Sequence, residues 1–324
     1  MKAVRVIADA KLSWDDVPTP VPAAGEVLIK VQATAINRAD LMQRMGLYPP
    51  PPGASDVMGL ECAGTIAAVG DGVTRWKEGD EVCALLSGGG YAQFAVAPEG
   101  SVLPVPQGLT MAHAACLPEV FATAYLNMYI EANLQQGEKV ILHAGASGVG
   151  TAGIQLAKAF GNPSFVTAGG DDKIQACVDL GAEAGANRKT ERFLEKASTF
   201  AGDSGVDLIL DPVGGGDLQD NVKLLGIGGR LVLIGLMGGL SAELDLAQVL
   251  RKRLRVIGST LRARPIAEKA EIMAQLEARV WPKIVSGEIK PILDTVFPIE
   301  EIEQAHELMS SDTTIGKVVL AVEH

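Results

Sequence analysis

The chain is poor in aromatic side chains, 4% of 324 residues, and carries only four cysteines and four histidines. Cys62, Cys83, Cys116 and Cys177 stand far apart, with no Cys-x-x-Cys among them. A chain of this size in a reducing compartment needs no disulfide framework. His113, His143, His306 and His324 are equally scattered, so no spacing matches a zinc site. Apolar runs stay short of the roughly 20 residues of a membrane span. The start, Met1-Lys2-Ala3-Val4-Arg5-Val6, alternates and soon meets Asp15-Asp16. A signal peptide needs a longer apolar stretch, which predicts a cytoplasmic protein. Basic residues are outnumbered, 28 against 39, for a formal charge of −11. Nucleic-acid binders usually show the opposite footprint, so no nucleic-acid partner is expected, and no membrane.

What is present is a globular balance, 48% apolar and 21% charged. The first third reads as short strands: Lys2–Ile7, Glu26–Ala33, Cys62–Val69, then Glu81–Leu86 and Tyr91–Val96 flanking the hairpin-like break Ser87-Gly88-Gly89-Gly90. Tyr48 precedes Pro49-Pro50-Pro51-Pro52-Gly53, a stiff surface loop. After Pro118 the pattern changes. A helical stretch, Phe121–Glu131, leads into alternating strand and helix signals from Lys139 to Gly258. Such alternation means a parallel sheet covered on both faces and wound in both directions. A single long helix, Ile266–Val285, and two strands around a further helix close the chain. This end has too few elements for a domain and is expected to return to the first one. The division is thus 1–120 plus 265–324, and 121–264.

His143-Ala144-Gly145-Ala146-Ser147-Gly148-Val149-Gly150 follows a strand and opens a helix. Glycines there permit a tight turn, and helix N-terminal amides face a pyrophosphate. The competing reading is a glycine-rich turn without a ligand. An NAD site usually carries Asp or Glu at the end of the second strand. Here that place holds Ala168 or Gly169, and Lys173 beyond it is able to meet a 2′-phosphate, which favours NADPH. Asp171 and Asp172 argue the other way unless they serve the next helix N-terminus. Arg251, Lys252, Arg253, Arg255, Arg262 and Arg264 form the one basic cluster, read as a solvated strand edge or subunit contact rather than a phosphate site.

These residues carry a resemblance. Asn37–Arg44, Gly46-Leu47-Tyr48-Pro49, Pro51–Ser55, Gly59-Leu60-Glu61, His143–Thr151, Gly235–Gly239 and Ile315-Gly316-Lys317 occur in an order that resembles the zinc-free quinone oxidoreductases of the medium-chain dehydrogenase/reductase superfamily. Within them the sequence is most similar to the tumour-suppressor-inducible quinone oxidoreductase subfamily. The resemblance implies an α/β fold: a GroES-like β-barrel domain with a Rossmann domain inserted. Zinc-dependent members carry Cys where this chain has Asn37 and His where it has Leu60, so no metal is implied. By the same resemblance Thr123 lies on the nicotinamide side. Gly145, Ser147, Gly148 and Val149 hold the pyrophosphate. Gly169 and Lys173 surround the 2′-phosphate, and Leu236, Met237, Ser259 and Leu261 line the nicotinamide half. Arg188 stands where relatives usually carry Tyr, and either pairs with the phosphate or points to solvent. Asn37 and Tyr48 are the catalytic candidates beside the reacting ring. Their bland alternatives are a backbone-capping amide and packing against the proline run. A homodimer through the strand near Leu254–Ser259 is also implied.

The expected activity is NADPH-dependent reduction of a quinone. A quinone accepts electrons readily and asks for no strong general acid, while the protein aligns the rings and excludes water. Reduction of an enoyl or 2-alkenal substrate is the alternative, and it needs a proton at the α-carbon. A non-catalytic NADPH-binding protein is the third reading.

Overall fold

The computed structural model describes all residues, Met1–His324. The chain forms two compact units, Met1–Ala122 with Leu261–His324, and Thr123–Thr260. The first unit opens with an antiparallel pair, β1 (Lys2–Val6) and β2 (Leu12–Asp16). β3 (Glu26–Ala35) alternates as its sequence demands: Val27, Ile29, Val31 and Ala33 are buried, while Lys30 and Gln32 are exposed. Next come α1 (Arg38–Arg44), β4 (Glu61–Val69), β5 (Glu81–Leu85), β6 (Phe94–Pro98), β7 (Val102–Pro104), α2 (Met111–Ala114) and α3 (Pro118–Tyr125). The expected hairpin across Ser87–Gly90 is absent. β5 pairs with β4 and β7, whereas β6 pairs with β3. The glycines instead bond back to another loop, Gly89 N to Val57 O and Gly90 N to Gly59 O.

The second unit contains β8 (Val140–Leu142), α4 (Gly148–Phe160), β9 (Ser164–Ala168), α5 (Asp171–Leu180), β10 (Ala184–Asn187), α6 (Phe193–Ala201), β11 (Val206–Asp211), α7 (Leu218–Leu224), β12 (Leu225–Leu233), α8 (Leu246–Lys252) and β13 (Arg255–Gly258). Its six strands are all parallel, in the order β10-β9-β8-β11-β12-β13. The order reverses at β8, which places a topological switch point at the carboxyl ends of β8 and β11. Ile141, Phe165, Ile209, Leu225 and Leu231 fill one core layer.

The chain then returns to the first unit through α9 (Ile266–Arg279), α10 (Trp281–Val285), β14 (Leu293–Pro298), α11 (Ile302–Ser310) and β15 (Lys317–Ala321). The single helix expected over Ile266–Val285 is two. Val280 is stretched to φ −109°, and Pro282 supplies no amide to continue the ladder. β15 lies between β14 and β3, and completes the sheet β14-β15-β3-β4-β5-β7 with β6 on β3. No helix is long and apolar enough to cross a membrane.

Candidate functional site

In the second unit the predicted residues gather along one edge. The turn 143–147 follows β8, Gly169 follows β9, Arg188 follows β10, Leu236 and Met237 follow β12, and Ser259 follows β13. All these positions lie at the carboxyl ends of parallel strands, where open α/β sheets bind ligands. Ser147 caps α4, its hydroxyl accepting from Gly150 N at 3.1 Å. Gly148 and Val149 are the first two helical residues, so their amides have no acceptor within the helix. Gly145 N donates to Thr167 O at 2.8 Å and ties the turn to β9. A Cβ on Gly150 would come within 2.5 Å of Ala144 O, and Ala144 itself is left-handed at φ 54°. The turn therefore depends on glycine at 150 and holds one strained residue beside it.

Around the end of β9 no carboxylate occupies the acid position. Lys173 is buried on α5, and Arg188 is exposed, its amide bonded to Ala168 O. Asp171 and Asp172 lie in the first turn of α5 behind the N-cap Gly170. The Asp171 carboxylate accepts from Asn187 Nδ2 at 2.9 Å, and that of Asp172 folds over Gly170. Leu236 and Met237 are each 47% exposed. The Thr123 carbonyl accepts from Asn127 Nδ2 at 2.8 Å. Leu261 is buried in the other unit.

Sequence reasoning gave no role to His143. Its Nε2 lies 2.7 Å from Asn221 Oδ1 and its Nδ1 3.0 Å from Thr167 Oγ1. Asn221 Nδ2 donates to Asp211, whose other oxygen accepts from Val213 N and Gly214 N. This buried chain pins β8, β9, β11 and the loop after β11 to one another under the phosphate turn.

In the first unit Asn37 precedes α1. Its Nδ2 donates to Glu61 Oε1 at 3.0 Å and Ala35 O at 3.3 Å, and its Oδ1 accepts from Lys317 Nζ at 2.6 Å. Asn37 is the N-cap of α1, its backbone amide held by Asp40 Oδ2 at 2.8 Å in a capping box, while its side chain ties it to Glu61, Ala35 and Lys317. Lys317 Nζ also reaches Ile36 O at 2.6 Å and Glu61 Oε1 at 2.8 Å. Glu61 Oε2 accepts from Glu119 N at 2.8 Å. Beneath this lies Asp40, fully buried, accepting from Asn37 N, the Tyr91 hydroxyl and Gly59 N. Burial pushes the Asp40 carboxyl up to about 6 against the pull of those bonds and of Lys317. Gly59 has φ +98°, and a Cβ there would meet the Tyr91 ring at 2.6 Å.

Tyr48 is gripped by Arg262. The guanidinium donates to Tyr48 O at 3.2 Å, Gln43 Oε1 at 2.8 Å and Ser87 O at 2.8 Å, and lies 5.3 Å from the Tyr48 ring centroid. Lys269 Nζ supports it through Ser87 Oγ at 2.6 Å and Arg262 O. Burial foremost, then Glu119, pushes the Tyr48 phenol up, with Arg262 opposing. The phenol is therefore a hydrogen-bond donor at neutral pH. The ring packs under Arg262, which is the partner the proline-run reading missed. The basic cluster also needs correction. Arg262 is 3% exposed, not solvated. Lys252 Nζ closes the end of α7 on the carbonyls of Val222, Lys223 and Leu225. Arg253 ends α8, and Arg264 pairs with Glu268.

Two family models match the chain: an alcohol dehydrogenase GroES-like domain over residues 23–107 and a zinc-binding dehydrogenase over residues 148–278. A quinone oxidoreductase of Rattus norvegicus is 33% identical over 99% of this chain and 97% of its own length. The chain belongs to the medium-chain dehydrogenase/reductase superfamily. Among solved structures of this superfamily fold, the CurK enoyl reductase is 29% identical with TM-score 0.85, each chain 99% covered. Mycobacterial Rv1454c complexed with NADPH is 27% identical with TM-score 0.88, covering 99% of this chain and all of its own. The protein is thus a medium-chain oxidoreductase using a nicotinamide cofactor. Its own residues fit that cofactor: a glycine turn, a capped helix and two unaccepted amides at the switch point. They do not fit the zinc that one family description names. Asn37 and Leu60 stand where the resemblance places Cys and His in zinc-dependent members, and the Asn37 side chain is bonded to Glu61 and Lys317.

Proposed function

We propose that this protein is an NADPH-dependent quinone oxidoreductase working without a metal. The observation that carries the choice of cofactor is the end of β9, where Gly169 and Gly170 stand in place of an acid, Lys173 follows in the first turn of α5 and the Arg188 amide bonds Ala168 O. Gly145, Ser147, Gly148 and Val149 would hold the pyrophosphate, and Lys173 with Arg188 the 2′-phosphate. Thr123, Leu236, Met237, Ser259 and Leu261 would serve the nicotinamide half. When bound, the nicotinamide supplies a hydride. Tyr48, protonated and fixed by Arg262, offers its ring for stacking and its hydroxyl to an acceptor oxygen. Both amide protons of Asn37 are already committed, so Asn37 shapes the acceptor side rather than donating to it. The full-length likeness to a quinone oxidoreductase supports the acceptor class.

The likeness to an enoyl reductase favours a second reading, reduction of a conjugated carbonyl. Parallel assays of NADPH and NADH oxidation with quinones and with 2-alkenals separate the two. Turnover with NADPH and quinones is expected. A preference for NADH, or for 2-alkenals over every quinone, would overturn the reading, and tight NADPH binding without turnover would make the protein a binding protein instead. We further propose a cytoplasmic homodimer through β13, the edge strand of its sheet, which presents Val256 at 41% exposure. A monomer mass in gel filtration at micromolar concentration would rule that out.

A further inference from the structure

β15 is an apolar strand, Val318–Leu320, that starts on a charge: Lys317 is only 4% exposed, and its partner Glu61 is 0% exposed. An ammonium has three protons to give and nothing to accept with. Here two are given to oxygen, at Ile36 O and Asn37 Oδ1, each at 2.6 Å, and the charge lies 2.8 Å from Glu61 Oε1 in an ion pair. No sulfur or imidazole joins them, and an all-oxygen set of this kind suits a hard cation or an ammonium. Glu61 is equally used, by Lys317 and Asn37 on one oxygen and by the amide of Glu119, the second residue of α3, on the other.

We propose that the Lys317 ammonium is the resident cation of this oxygen-lined site, and that Lys317 is a positioning residue for Asn37 and Glu61. A donor-only group at Oδ1 and an acceptor-only carboxylate at Nδ2 permit a single orientation of the Asn37 amide. The same cation keeps Glu61 in place to receive the first turn of α3. The side chain reaches the site from β15, 280 residues along the chain from Asn37. Truncating it would leave a buried carboxylate and a cavity shaped to a short alkylammonium.

Lys317→Ala tests this by chemical rescue. The variant is melted and assayed with added propylammonium chloride, with tetramethylammonium chloride and sodium chloride at matched ionic strength as controls. Its melting point is expected about 10 °C below wild type, and its kcat about tenfold lower. Both should recover saturably with propylammonium alone, because tetramethylammonium has no N–H to donate. Lys317→Ala/Glu61→Gln should melt higher than Lys317→Ala and ignore propylammonium, the carboxylate being gone. A Lys317→Ala protein that melts with the wild type, or that responds alike to all three salts, overturns the proposal. Should Lys317→Ala be insoluble, refolding replaces melting: rescue by propylammonium alone supports the site, and no rescue or equal rescue by every salt refutes it. Only the kcat measurement rests on the quinone reading. A wild type without quinone turnover would sink that reading and leave the melting result to decide this one.

Discussion

Tyr91 touches two groups whose protonation is displaced in opposite directions. Its hydroxyl donates to Asp40 Oδ2 at 2.9 Å, and its ring meets that of His306 edge-on, centroids 6.0 Å apart. His306 is 2% exposed with both ring nitrogens unbonded. Burial foremost, then Arg44, lowers it from 6.5 to about 4, while Glu303 opposes. Between those values the unfolded chain carries a proton on His306 that the native chain does not. Stability therefore rises with pH by about 1.4 kcal/mol per pH unit, about 3 kcal/mol in all. Asp40 does the reverse. Its carboxyl moves from 3.8 to about 6, so in that window the native state holds the extra proton. Stability there falls with pH, again by about 3 kcal/mol. The two slopes nearly cancel, and the joint contribution of the pair is expected to be flat from pH 4 to 6. His306→Leu should unmask the Asp40 slope, losing about 3 kcal/mol relative to wild type as pH rises from 4 to 6.5. Asp40→Asn should gain a similar amount relative to wild type from pH 4 to 6. All three tryptophans, Trp14, Trp76 and Trp281, lie in this unit, so urea titrations followed by tryptophan fluorescence report it directly. Differences between variants that stay constant with pH, or that share one sign, would refute the reasoning.

Other consequences are equally measurable. Gly150→Ala forces a Cβ toward Ala144 O, so dinucleotide affinity in a fluorescence titration should fall about tenfold while far-UV circular dichroism is kept. Arg262→Met removes three hydrogen bonds from the Tyr48 grip. The quinone KM should rise about tenfold with the NADPH KM unchanged, and Arg262→Lys should not restore it because the planar fork is lost. Lys252→Met uncaps α7 and should cost about 1–2 kcal/mol in chemical denaturation without weakening NADPH, whereas Lys173→Ala should weaken NADPH selectively over NADH.

The phosphate turn was legible because everything it needs is contiguous: a strand, the glycines Gly145, Gly148 and Gly150, a capping serine and a helix within Val140–Phe160. The parallel sheet was legible for the same reason, since each strand and helix announces itself locally. The acceptor side was not. Arg262 grips Tyr48 from 214 residues away, and Lys317 meets Asn37 from 280 away. In sequence, Arg262 sits among other basic residues and was read with them, although packing sends it inward, Arg251, Lys252 and Arg253 to a helix end, and Arg255 onto the exposed edge strand β13. The run Ser87–Gly90 looks like a hairpin because glycine signals a turn but not its partner, and the partners here are Val57 and Gly59. The break in the last long helix did have a local sign, Pro282, which apolar periodicity outweighed.

The place of β15 between β14 and β3 has a consequence for synthesis. A chain emerging from its N-terminus has β3 and Glu61 in hand from the start, but lacks the strand that covers one and the cation that neutralises the other. Thr123–Thr260 is contiguous and is able to fold while the first unit is still unfinished. The first unit closes only when Val319 reaches Ala35 and Lys317 reaches Asn37. Until then Glu61 stays hydrated and the edge of β3 at Ala33–Ala35 stays open, so β15 acts as the latch of the whole unit.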